Sequence, residues 1–221
     1  VVCTDGVLRS FTVDKGTSSA GHLVSVSVSG GGVTVKGVSG RSVSGTIDKN
    51  TAKLGDLPLS EDIQILDTAS DGSYAAVDVS RLAGKTLTNK MVRYYTLDKN
   101  GAVDRLILED ATGDTWTYGY LSAANDLSQE GGMDINMQYT YIVDGDVKTV
   151  SNSAKYAVKT GGLAIRYNSD GSIKSMKNTT AVRLASLGTL TARTDDKIYE
   201  LADHVQVYLR QSGTFYQTDP T

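Results

Sequence analysis

Leu23–Val38 reads LVSVSVSGGGVTVKGV, and this stretch decides the fold class. Val24, Val26 and Val28 alternate with serines, so an extended chain puts all three valines on one face. Three glycines follow, and Val33 and Val35 resume the beat on the return. Period-2 alternation on both sides of a glycine turn is the mark of an antiparallel β-hairpin.

The same signal recurs along the chain. MVRYYTLDKNGAVDRLILED (91–110) turns at Asn100-Gly101, YTYIVDGDVKTV (139–150) at Asp144-Gly145, and LAIRYNSDGSIKSM (163–176) at Asp170-Gly171. Each dipeptide adopts positive φ at low cost, as a primed hairpin turn requires. Helical periodicity is weak, and its best candidates are the short runs Ser80–Gly84 and Ala123–Gln129. The expected fold is all-β: antiparallel, hairpin-rich small barrels or sandwiches.

Composition fits a globular chain. Its 221 residues are 39% hydrophobic and 21% charged, with 23 glycines against 2 prolines. The net charge is −3, from 22 basic and 25 acidic residues spread evenly. No basic run offers a surface that tracks phosphates, so nucleic acid is not an expected partner. No run of about 18 apolar residues offers a membrane-spanning helix. The single cysteine, Cys3, cannot form an internal disulfide. That suits a bacterial exported protein stabilised by its core and a cytoplasmic protein equally well.

Blocks of the chain repeat at offsets of 139 to 142 residues. TDGVLRSF (4–11) resembles VDGDVKTV (143–150), and HLVSVSVSGGGV (22–33) resembles GLAIRYNSDGSI (162–173). LPLSEDIQILDTASDGSYAAVDVS (57–80) resembles YELADHVQVYLRQSGTFYQTDPT (199–221). These align Gly31 with Gly171, Ile63 with Val205, Gly72 with Gly213, Tyr74 with Phe215, and Asp78 with Asp219. Their collinear order implies an internal duplication giving two similar lobes. The implied units are a first β repeat over 1–121, a connector over 122–138 containing SAANDLSQEGG, and a second, incomplete repeat over 139–221. The second lacks a counterpart of residues 94–121, so the chain is expected to be a fragment of a longer protein.

Chemistry-bearing patterns are sparse. His22 and His204 have no second histidine or cysteine at ligand spacing, so no zinc site is expected. Cys3 lies too near the chain end to make a good nucleophile platform. No G-x-S-x-G elbow or G-x-x-x-x-G-K-[ST] loop occurs, and the glycines of SGGGVTVKG (29–37) read as a turn with no helix behind them. Asp104, Glu109, Asp110 and Asp114 are the acids from which a glycosidase pair would be drawn, but nothing singles out a pair. DKNGAVD (98–104) superficially matches a calcium loop but lacks the acid at its fifth position and a distal glutamate. No catalytic residue, metal or cofactor is expected.

TWTYGYL (115–121) carries the main candidate binding residues. Trp116, Tyr118 and Tyr120 alternate, so a strand aligns them on one face. A buried face would make them core, and the chain's one tryptophan favours that placement. An exposed face would be a flat aromatic strip suited to stacking on sugar rings. A mixed arrangement would put Trp116 inside and the tyrosine hydroxyls at the rim.

YYTLDKNGAVDRLILEDATGDTWTYGYL (94–121), with LSEDIQIL, DVSRLAGKTL and DHVQVYLRQSGTFY, resembles the β-repeat region of large cell-surface proteins of gut Firmicutes. Those proteins carry S-layer homology domains elsewhere in the chain. The resemblance implies export, a Gram-positive cell surface and a non-catalytic display role. It carries over no catalytic residue, and no S-layer homology domain is recognisable here. The expected partners are a cell-wall glycan, bound through the aromatic strip, or neighbouring domains of a surface protein.

Overall fold

The computed structural model describes residues 2–4, 7–48, 50–131, 133–168, 170–201 and 205–218. The fold is all-β, with antiparallel sheets and one 3-10 turn, Val79–Leu82, among the described residues. No helix there is long and apolar enough to cross a membrane. The chain divides into two compact units, Val1–Thr115 and Trp116–Thr221.

In the first unit the strands are β1 (Val2–Thr4), β2 (Val7–Arg9), β3 (Val24–Ser29), β4 (Gly32–Gly37), β5 (Gly45–Asp48) and β6 (Lys53–Leu54). They continue with β7 (Leu57–Thr68), β8 (Tyr74–Val77), β9 (Thr86–Leu87), β10 (Val92–Leu97) and β11 (Val103–Glu109). The main sheet runs β10-β11-β7-β6-β5-β9, with β8 also on β7. One pairing departs from the antiparallel rule: β11 lies parallel to β7, matching Leu106 to Ile65 and Leu108 to Asp67. A parallel pair needs a crossover of a dozen or more residues, and β8 to β10 supply it. Ile47, Leu54, Ile65, Leu82, Leu106 and Leu108 form the centre of its hydrophobic cluster.

The second unit contains β12 (Thr117–Asp126), β13 (Met137–Val143), β14 (Asp146–Asn152), β15 (Gly161–Tyr167) and β16 (Ile173–Asn178). These form a five-stranded antiparallel sheet in the order β14-β13-β12-β15-β16. Then come β17 (Ser186–Leu187), β18 (Thr191–Arg193), β19 (Ile198–Glu200), β20 (Val207–Gln211) and β21 (Thr214–Thr218), in one three-stranded and one two-stranded sheet. One face of the five-stranded sheet packs Leu121, Tyr139, Tyr141, Leu163, Ile165 and Met176 into a second cluster.

All four hairpins read from the sequence are present, with turns of two kinds. Gly30-Gly31 and Asp144-Gly145 each have two positive φ values in a two-residue primed turn, and Ser212-Gly213 makes a third. Gly101 and Gly171 instead sit fourth in five-residue loops, 98–102 and 168–172, which Ala69–Ser73 repeats. In each loop the first amide donates to the fifth carbonyl at 2.8 Å. Asn100 and Asp170 therefore keep ordinary φ, and the glycine turns left-handed.

Other features depart from the sequence reading. Ala123 and Ala124, expected in a helix, lie in β12 opposite Thr140 and Tyr139. The 80–84 candidate fares better, overlapping the 3-10 turn that Asp78 caps by accepting from Ser80 N at 2.8 Å. The 122–138 connector begins inside β12, which pairs with β13 and β15 and so belongs to the second unit. The two units do not share a strand order. Gly31 and Gly171 are both hairpin glycines at φ 82°, and Gly72 and Gly213 both sit at φ 85°. Ile63 lies in β7 against the first cluster, whereas Val205 precedes β20 outside any strand.

Candidate functional site

Tyr118 and Tyr120 lie in the first half of β12, and Trp116 directly precedes it. Thr117 pairs with Ile165 and Ile165 with Met176, so the inward face of this row is aliphatic. Strand alternation sends Tyr118 and Tyr120 to the opposite face, the Trp116 ring meets Arg166 and Lys177, and none of the three aromatics belongs to the second cluster. Tyr118 is 47% exposed, and Trp116 and Tyr120 are half-buried. The tryptophan is therefore not inside the core, contrary to the placement favoured by the sequence; it is half-buried against Arg166 and Lys177 on the face away from the second cluster.

Its neighbours across the sheet are cationic. Tyr118 pairs with Ala164 and Ala164 with Lys177, which makes one row. Arg166 pairs with Ser175, and Trp116, just before β12, lies against Arg166. The Arg166 guanidinium carbon lies 3.8 Å from the Trp116 ring centroid, and Lys177 Nζ lies 3.9 Å from it. Arg166 is only 8% exposed, so its contact is of the desolvated kind worth about 2 kcal/mol. Trp116 Nε1 and Ser175 Oγ are buried without a hydrogen-bond partner. Such donors cost about 1–3 kcal/mol each when nothing accepts from them.

Sequence reading singled out the aromatics but not Arg166, Lys177 or Ser175. Alternation in LAIRYNSDGSIKSM does place Arg166 opposite Leu163 and Ile165. What it lacks is the partner. β12 pairs with β15 across the intervening β13–β14 hairpin, and no local pattern encodes that.

The candidate acids are dispersed among local partners. Asp104 accepts from Thr96 Oγ1 and lies 3.3 Å from an Arg105 nitrogen. Glu109 pairs with Arg93 Nε at 3.1 Å and Asp114 with Arg81 at 2.8 Å. Asp110 accepts from Thr115 Oγ1 at 3.0 Å. In the 98–104 segment, Asp98 Oδ1 accepts from the Asn100 and Ala102 amides at 2.8 and 2.9 Å, as a turn-closing carboxylate does. No group of three metal-ligating side chains occurs among the described residues. His22 is exposed and lies 3.2 Å from Ser19 O, while His204 lies outside the described residues.

One acid went unnoticed in the sequence. Asp67 is fully buried on the core side of β7. It accepts from Ala111 N at 3.0 Å, Thr112 N at 2.7 Å and Thr112 Oγ1 at 2.6 Å. Three donors to one carboxylate make it the anchor of the loop after β11.

The first unit also holds a cavity of about 460 Å³. Its walls are mostly apolar, with Leu23, Val38, Leu66 and Ile107 among them, and Cys3, Gln64 and Arg105 add polar groups. No carboxylate lines it among the described residues.

No family model matches the chain, and neither a curated protein nor a solved structure matches it.

Proposed function

We propose that this chain is a non-catalytic structural or display module of an exported, S-layer-associated bacterial surface protein. The observation that carries the reading is the use made of its acids. Asp67, Asp98, Glu109, Asp110 and Asp114 each engage a turn, a loop or a neighbouring strand. Paired carboxylates facing a cleft, as glycoside hydrolysis needs, would leave two of them pointing at a common space. The resemblance of residues 94–121 to surface-protein repeats supports export. The internal duplication forms no part of this reading, because the aligned glycines sit in different turns: Gly31 and Gly213 in two-residue turns, Gly171 and Gly72 in five-residue loops.

Protease treatment of intact cells expressing the full-length gene tests it. Immunodetection should show residues 1–221 removed without lysis. The purified chain should release no reducing ends from isolated wall polymers. A protease-protected chain or released sugar would overturn the reading.

A second reading makes the sheet face a carbohydrate- or wall-polymer-binding surface built on Trp116, Tyr118 and Tyr120. The exposure of Tyr118 beside Trp116 favours it. Tryptophan emission that changes on adding isolated wall glycans would support this reading, and unchanged emission with no sedimentation on walls would remove it.

A further inference from the structure

We infer that the cavity of the first unit is a binding site for an alkyl or acyl chain. Such a site stands apart from the display role and from the aromatic face of the second unit.

The main sheet of the first unit has two faces. Val77, Ile65, Leu106 and Tyr95 form one row across β8, β7, β11 and β10, and all four pack into the first hydrophobic cluster. The neighbouring row, Ala76–Leu66–Ile107–Tyr94, therefore points the other way, into the cavity. Across the space stand Leu23, Val24 and Val38, at the base of the β3–β4 hairpin. Leu66, Ile107, Leu23, Val24 and Val38 are only half-buried, so they present apolar surface to the space without filling it.

The strand pairing sets its shape. Four strands side by side give a floor about 14 Å long, three interstrand spacings. That floor is aliphatic up to the Tyr94 ring at one end. The next row on the same face, Gln64 beside Arg105, is exposed and gives the cavity a polar rim. A long apolar trough with polar groups confined to its rim suits a chain with one polar head, and about 460 Å³ is room for a small molecule. Hydrogen bonds hold the roof in place. Val38 N donates to Leu23 O at 3.1 Å. Arg93, beside Tyr94 on β10, donates to Gly21 O at 2.6 Å and accepts from Arg41 N at 3.1 Å. A space preformed in this way costs its ligand little reorganisation.

The full chain is titrated by calorimetry with decanol, hexanol and naphthol. In parallel Cys3, the chain's one cysteine and part of the cavity wall, is labelled with a maleimide in the presence of each alcohol. Decanol should bind at a single site and slow the labelling several-fold. Hexanol, four methylenes shorter, should bind about a hundredfold more weakly. Ile107→Phe and Ala76→Leu add side-chain atoms to the space and should each weaken decanol binding about tenfold, with unchanged circular dichroism. Ala76 is exposed at the cavity's edge, so its substitution keeps the test decisive where Ile107→Phe disturbs the fold. Absence of decanol binding would overturn the site. Naphthol bound as tightly as decanol would overturn the chain as its ligand. Unchanged Cys3 labelling at saturating decanol, or undiminished binding by the folded variants, would remove the cavity as the place of binding.

Discussion

Asp67 shows how much one side chain can hold. A carboxylate in an apolar core is tolerated only when its oxygens are satisfied, and the Ala111 and Thr112 donors do that. Asp67→Asn keeps the shape but turns half of the acceptor into a donor facing amides. It should destabilise the first unit by about 3 kcal/mol in denaturant titrations, and a loss below 1 kcal/mol would show the anchor to be dispensable. Tyr167 makes the complementary case in the second unit. Burial, and then the hydrogen bond it donates to Tyr141 at 3.2 Å, push its hydroxyl well above the ordinary value of 10.0. Burial also raises Tyr156. Below pH 10 these groups are protonated in folded and unfolded chains alike, so their contribution is fully present. Above pH 10 the unfolded chain ionises first, the native state holds more protons, and stability falls as pH rises. Denaturation midpoints between pH 9 and about 11.5 should fall less steeply in Tyr167→Phe than in the parent. Parallel slopes would contradict this.

At the level of elements, the turns are the most local feature of the protein. The positions of the hairpin turns follow from three to five adjacent residues each, so they were visible in advance. The loop type at Gly101 and Gly171 was not, because it depends on where the flanking strands close, at Leu97↔Val103 and Tyr167↔Ile173. β12 shows the opposite dependence. Gly119 sits between Tyr118 and Tyr120, where an added Cβ would lie 2.2 Å from Ile142 O and 2.7 Å from Val143 Cγ2. The glycine is what lets β13 close on the strand that carries the aromatic face. Gly119→Ala should cost the second unit about 2 kcal/mol, read as a lower denaturation midpoint in Trp116 emission. An unshifted midpoint would mean that β12 and β13 separate freely.

On the scale of the whole molecule, the two hydrophobic clusters draw on separate stretches of chain, one before Thr115 and one after Trp116. Separate cores allow separate cooperative transitions. Asp67→Asn should shift the transition of the first unit, seen by circular dichroism but not by Trp116. Gly119→Ala should shift the one that Trp116 reports. A single transition moved by both substitutions would show one cooperative unit.

Alternation and turn chemistry determined by themselves that the chain is all-β, where its main hairpins lie, and that Trp116, Tyr118 and Tyr120 share a face. These are short-range properties, set by the two-residue period of a strand and the φ preferences of glycine. Only the tertiary structure decided that β11 lies parallel to β7, that Asp67 is an anchor, and that Arg166 and Lys177 meet Trp116. Each of these joins residues some 40 to 60 positions apart. Such pairings depend on which sheets form, and period-2 alternation reads alike for every possible partner.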